Sequence, residues 1–271
     1  MPFRYAPYWL AALLALTVLG FWPGYFSVLA TAPWGFHLHG ISATLWLILL
    51  GVQSWSAHAR QMALHRSGGM ASLALFPIFF AGSAAVIWSM AAATAAGDPF
   101  YQIYGARLAT MDLISTLLLG YLYYHALAER RRVQLHARYL LATPLPLIMP
   151  IVGRVFAGFV PGLVIHGPQD FALFAWSVRL SSVVALGLTA WLYLGAPRHG
   201  KPFAVTGAVL LVQTIVFDTL GATHGWDAAY RALALLPVAP LLLTGLVAGA
   251  AVAWFGWAAG QRPRVRAVST G

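Results

Sequence analysis

The chain is a succession of long apolar runs separated by short charged connections, and this pattern decides the solvent in which it folds. Of 271 residues, 61% are hydrophobic and 8% are charged, whereas soluble globular domains carry about 25% charged residues. Too few polar side chains exist to cover a water-facing surface, so the medium is lipid. In lipid the backbone polar groups must be satisfied internally, which leaves helices or a closed barrel. Barrel strands alternate in polarity over about ten residues. The runs here are continuous, and the expected class is all-α, a polytopic transmembrane helix bundle.

A span takes roughly 17–25 predominantly apolar residues. About eight spans are expected, at 7–30, 37–58, 68–94, 107–128, 137–160, 170–195, 202–221 and 233–258, within a single transmembrane domain over residues 1–271. The first run follows Arg4 and reaches Ala30-Thr31-Ala32, which resembles a cleavage site. It is longer than a signal-peptide core of about 7–15 residues. It is therefore read as a retained span, bent near its outer end by Pro23-Gly24. Pro237 and Pro240 make the eighth span the least regular, and a short interfacial helix is expected over 226–235.

Loop charges orient the bundle. One set of ends holds Arg4, Arg60, Arg66, Arg130, Arg131, Arg132, Arg138, Arg198, Lys201, Arg262, Arg264 and Arg266, twelve of the sixteen basic residues. The other holds Arg107 and Arg231, beside Asp98, Asp170 and Asp227. The positive-inside bias puts the first set in the cytoplasm, and eight spans make the chain N-in and C-in. Trp34, Trp55, Tyr101, Tyr104, Tyr121 and Tyr193 lie near span ends, as an interfacial belt requires. The formal charge of +10 belongs to this orientation and to anionic lipid. No soluble basic domain exists to bind nucleic acid. Cysteine is absent, which excludes disulfides, thiolate nucleophiles and thiolate-ligated metals.

Ionisable groups inside spans are costly and face the bundle interior or a wet cavity. Asp112 falls near the outer end of the fourth span and Arg154 near that of the fifth, so an ion pair between them is expected. Arg179, in the outer half of the sixth span, and Asp218, near the outer end of the seventh, form a second expected pair. The four are either staples between helices or the walls of an outward-facing polar pocket, with His37 and His39 at its rim. Histidines also gather at the inner face: His58, His65, His125 and His136, with His199 in the last connection. Imidazole is a usual metal or haem ligand. His65 and His136 begin the third and fifth spans at matching depth, and His125 is a third candidate there. The alternative is interfacial contact with head groups. Ala63-Leu64-His65-Arg66 and Gln134-Leu135-His136-Ala137-Arg138 also form a faint repeat, 136 − 65 = 71 residues apart. Pro144, Pro146 and Pro150 bend or partly unwind the fifth span, and Pro77 bends the third more mildly. Gln53 and Gln213 are further polar groups inside spans, able to link helices by hydrogen bonds. No phosphate loop, HExxH helix or Gly-x-Ser-x-Gly elbow occurs, and the only lysine, Lys201, lies at a span end.

Phe21-Trp22-Pro23-Gly24-Tyr25-Phe26, His37-Leu38-His39-Gly40 with Thr44, Trp46 and Gln53, Leu64-His65-Arg66 with Gly69, Asp112, and His136 through Thr143 with Arg154 together resemble an uncharacterised family of bacterial multi-span inner-membrane proteins. The resemblance covers residues 10–155 and continues beyond only in hydropathy. That family is similar in turn to membrane proteins of unknown function, some regarded as relatives of membrane b-type cytochromes or of oxidase-assembly factors. It implies a helical fold and an inner-membrane location, but no established activity. The second motif departs from the pattern, with Ala137 between His136 and Arg138.

Three functions of different classes are open to these residues. One is a cofactor protein holding b-type haem or a metal through His65 and His136, with His125 or His39. A second is a transporter or ligand-binding protein using His39, Asp112, Arg154, Arg179 and Asp218. The third is a non-catalytic accessory or assembly factor of a respiratory complex. The expected partners are the lipid bilayer and either other membrane proteins or a second copy of the chain.

Overall fold

A computed structural model describes residues 3–261. Arg262, Arg264 and Arg266 of the basic set lie outside the described residues. Among those described, ten α-helices are joined by short turns and 3-10 segments, with no strand. They are α1 (Ala6–Phe21), α2 (Trp34–His58), α3 (Met62–Ala95), α4 (Pro99–Ala128), α5 (Val133–Ala142), α6 (Leu145–Phe159), α7 (Ala172–Leu194), α8 (Lys201–Asp218), α9 (His224–Ala232) and α10 (Val238–Ala259). Six segments are long and apolar enough to cross a membrane: α2, α3, α5 with α6, α7, α8 with the turn that follows it, and α10. Helix α1 is apolar but has only 16 residues. Helix α4 has 30 residues, but Gln102, Arg107 and Asp112 dilute its apolar character.

Several boundaries differ from the sequence expectation, each for a local reason. The first run does not stay helical to residue 30. It stops at Phe21, because Pro23-Gly24 cannot continue it, and resumes as a 3-10 segment over Phe26–Thr31. Helix α4 starts at Pro99 rather than 107. Asp98 caps it, accepting hydrogen bonds from the Phe100 and Tyr101 amides at 2.9 and 3.0 Å, with Pro99 in the first helical position. The fifth span is two helices, broken at Thr143-Pro144. The final helix is regular, because Pro237 caps it and Pro240 lies in its first turn, where no amide donor is needed. The short helix expected before it is α9, over 224–232. Arg138 is not a loop charge: it lies within α5, buried, donates to the Gln134 carbonyl and side-chain oxygens and packs over the Phe3 ring.

Helix α4 is the centre of the bundle. Its Tyr104, Met111, Leu118 and Leu122 enter a core shared with α5, α6, α7 and α8. Its Leu119, Tyr123 and Leu127 enter a second core with α1, α2, α3 and α10. Ala106 and Ala109 enter a third with α3 and α9. In the second core, Trp46, Phe76 and Tyr123 pack ring against ring, Phe76 and Tyr123 with centroids 4.0 Å apart. The polar tips find partners: Tyr123 Oη lies 2.7 Å from Ser72 Oγ, and Trp46 Nε1 donates to Thr143 Oγ1 at 3.1 Å. That second bond ties α2 to the break between α5 and α6.

Lipid supplies no hydrophobic drive between helices, so close backbone approach at small residues does the packing. Helix α10 meets α3 at Gly245 and Gly249, and α4 at Gly256. A Cβ on Gly249 would stand 2.7 Å from Pro77 Cα, and one on Gly256 would stand 2.9 Å from the Tyr124 carbonyl oxygen. The obstacles are backbone, so the helix itself must shift. Gly249→Leu is therefore expected to lose about 1–3 kcal/mol, read as a lower unfolding temperature in detergent. Gly187→Ala, whose Cβ meets nothing within 4 Å, is expected not to lower that temperature.

Candidate functional site

The break at Thr143-Pro144 and the end of α1 at Phe21 leave a cavity of about 1170 Å³ between α1, α2, α3, α4 and α6. Its size exceeds the roughly 300–1,000 Å³ of ordinary small-molecule pockets. Most of the lining is apolar, but His39, Asp112 and Arg154 all face it, with Ser115, Thr116 and Gln213 beside them. The three ionisable groups are surrounded by protein, yet each keeps accessible surface. That surface belongs to the cavity.

Each of the three is placed by a different helix. Because α4 begins at Pro99, Asp112 lies 112 − 99 = 13 residues along it, about 20 Å at 1.5 Å per residue. It sits near the middle of the helix, not near its outer end. Gln213 of α8 fixes α4 at this level, donating through Nε2 to the Met111 carbonyl and to Ser115 Oγ, both at 2.9 Å. Arg154 of α6 donates to the Pro150 carbonyl at 3.2 Å, with its guanidinium 4.4 Å from the centre of the Phe21 ring. His39 comes with α2, which approaches α3 closely at Gly82: a Cβ there would stand 3.0 Å from His39 Cα. Near the loop end of the cavity, Tyr25 Oη and His37 Nδ1 are 2.8 Å apart.

The expected Asp112–Arg154 ion pair is not formed within 4.0 Å. Arg154 is drawn to the Pro150 carbonyl and the Phe21 ring instead. Among the described residues nothing donates a hydrogen bond to the Asp112 carboxylate, and His39 Nδ1 and Gln213 Oε1 are buried without partners. An acid and a base thus face one cavity, with an unpartnered ring nitrogen nearby.

The second expected pair is made, but elsewhere. Arg179 donates to both Asp218 oxygens at 2.9 Å, and Arg107 approaches the same carboxylate at 3.7 Å. These side chains are partly exposed and do not line the cavity. The four charges expected in one pocket therefore divide into a cavity pair and a surface staple joining α4, α7 and α8.

The histidines divide as well. His65 and His136 come together, with ring centroids 6.5 Å apart and ring planes at 83°. His65 Nδ1 lies 3.2 Å from the Gln53 carbonyl oxygen, and His136 Nδ1 lies 2.8 Å from that of Ala126. A carbonyl only accepts, so each Nδ1 carries a hydrogen, and a ring in its neutral form has its lone pair on Nε2. Metal-ligating histidines are oriented in this way. His125 is not part of the pair: it stacks on Tyr139 at 5.2 Å and lines a smaller recess with Tyr121 and Tyr124. His39 belongs to the large cavity. Among the described residues no three His, Asp or Glu side chains converge as a metal site.

Sequence reasoning did not find Phe21 as the platform for Arg154, or Thr116 in the cavity wall. Phe21 beside Pro-Gly reads as a belt aromatic, and a lone threonine in an apolar run carries no signal. No protein-family model, no curated protein and no solved structure matches this chain.

Removing one member of a buried contact ion pair costs about 3–5 kcal/mol. Asp112 has no such contact. Asp112→Asn is expected to change stability by less than about 1.5 kcal/mol, in either direction, measured as thermal unfolding in detergent. A loss in the contact-pair range would show that the carboxylate is a staple.

Proposed function

We propose that this chain is a multi-pass membrane protein that binds a charged small molecule in the cavity between α1, α2, α4 and α6, as a transporter or ligand-binding protein of the bacterial inner membrane. One observation carries the reading: Asp112 and Arg154 face the same cavity without pairing. Charges are retained within spans where they meet a substrate, an ion path or each other, and these two do not meet each other. The bundle is read as eight spans, with α1 and α4 joining the six segments of membrane length, and with both termini cytoplasmic. The basic connections Arg60-Arg66, Arg130-Arg132 and Arg198-Lys201 support that orientation.

The absence of native cysteine makes a direct test simple. Thr116→Cys, in the cavity wall, is expected to react with a small thiosulfonate reagent. Ser181→Cys, fully buried outside it, is expected to stay unreacted. A folded Thr116→Cys protein that resists the reagent overturns the reading.

A second reading rests on a separate observation, the paired His65 and His136 rings. An ion about 2 Å from each Nε2 holds two rings with centroids about 6 Å apart, close to the separation here. Haem b, if bound there, would supply one-electron chemistry. His65 and His136 would hold the iron, and the Gln53 and Ala126 carbonyls would orient the rings. Protein purified from haem-replete cells is then expected to show a Soret band that His65→Ala and His136→Ala abolish. Colourless protein with no metal by elemental analysis would rule this reading out.

A further inference from the structure

The large cavity reaches the surface in two places. At its loop end Gly24 and His166 line it and are exposed. The other opening lies on the flank of the bundle. Val18 of α1, Leu29 of the 3-10 segment, and Ile41 and Leu45 of α2 all line the cavity, yet they are 44–58% exposed. Side chains that face the cavity and the outside together mark a window. The most exposed side chains of this window are all branched aliphatics. Further along the same helix pair, buried Leu10, Leu47 and Leu50 seal the gap between α1 and α2. An opening rimmed by aliphatic side chains on the flank of a lipid-embedded bundle communicates with acyl chains, not with water.

Behind the window stand one acid and one base. Each is desolvated, and neither is neutralised by contact with the other. An anionic amphiphile answers Arg154 and leaves Asp112 unpaired; an amine does the reverse. A ligand bearing both signs answers both, and adds no net charge to a low-dielectric site.

We infer that the cavity takes a zwitterionic amphiphile from the bilayer through the window between α1 and α2, with its ammonium group at Asp112, its phosphate at Arg154, and its acyl chain left in the window. This names the ligand class of the cavity proposed above and rests on that reading. The cavity volume accommodates a head group with part of its chain.

The test uses the full chain in nonionic detergent and measures equilibrium binding of lysophosphatidylethanolamine, of phosphoethanolamine without a chain, of tetradecyl methyl phosphate and tetradecylamine with one charge each, and of an uncharged quinol. Lysophosphatidylethanolamine is expected to bind most tightly. Asp112→Asn and Arg154→Gln are each expected to weaken it about thirtyfold or more, the loss seen when one partner of a desolvated charge pair is removed. Asp112→Glu keeps the charge and is expected to retain binding, which separates loss of charge from loss of fold. Ile41→Trp and Leu45→Trp narrow the window. They are expected to weaken lysophosphatidylethanolamine and leave phosphoethanolamine unchanged.

Equal affinity for phosphoethanolamine, or window variants without effect, overturns entry from the bilayer and leaves the cavity reading standing. Equal affinity for either singly charged chain, or for the quinol, overturns the zwitterion. Thiol labelling of Thr116→Cys with no binding of any probe overturns this inference alone. Failure of that labelling overturns the cavity reading and this inference together.

Discussion

The interior of this bundle depends on the burial of α4, the least apolar of its long helices. Its length is ample, but Gln102, Arg107 and Asp112 dilute its apolar surface. A helix with such groups is stable in a membrane when protein surrounds it, because lipid offers polar atoms no partner. The structure meets that condition by burying faces of α4 in all three hydrophobic clusters. Helices α3, α5, α8, α9 and α10 pack on it directly.

The cover is made by two devices. Where backbone can approach backbone, small residues do the work, as at Gly245, Gly249 and Gly256 of α10 and at Gly82 of α3. Where it cannot, polar side chains bridge helices, as Gln213 does from α8 and Trp46 does from α2 to Thr143. Both devices fail in one region. There α1 stops at Phe21 and the chain breaks at Thr143-Pro144. Two early interruptions of helix leave the space that becomes the cavity, and Asp112 looks into it from the middle of α4. Site and fold thus have a common origin: the prolines that end helices also open the interior.

The charged groups show why a list of intramembrane residues is not yet a site. Asp112, Arg154, Arg179 and Asp218 are similar in a sequence reading, one charge per span at comparable depth. In three dimensions Asp218 is shared by Arg107 and Arg179, whereas Asp112 and Arg154 line one cavity without a contact between them. The histidines behave likewise. His65 and His136 meet, His125 stacks among tyrosines, and His39 serves a different part of the molecule. The faint repeat that singled out His65 and His136 is matched by their proximity. Nothing in the repeat itself specified that both Nδ1 atoms would be occupied by carbonyls.

The sequence alone determined the solvent, the helical class, the rough position of each apolar run and the identity of the costly interior charges. It did so because hydropathy and proline placement act within a single run. It also anticipated the bend at Pro23-Gly24, the weakness of the fifth span and a short helix before the last. The tertiary structure alone decided which charges pair, which histidines meet, and that a cavity with a flank opening exists. Those outcomes depend on which face each helix turns toward its neighbour. A shift of one residue rotates a helical side chain by about 100°, and the rotation is set by distant contacts such as Gly82 against His39 and Gln213 against Met111.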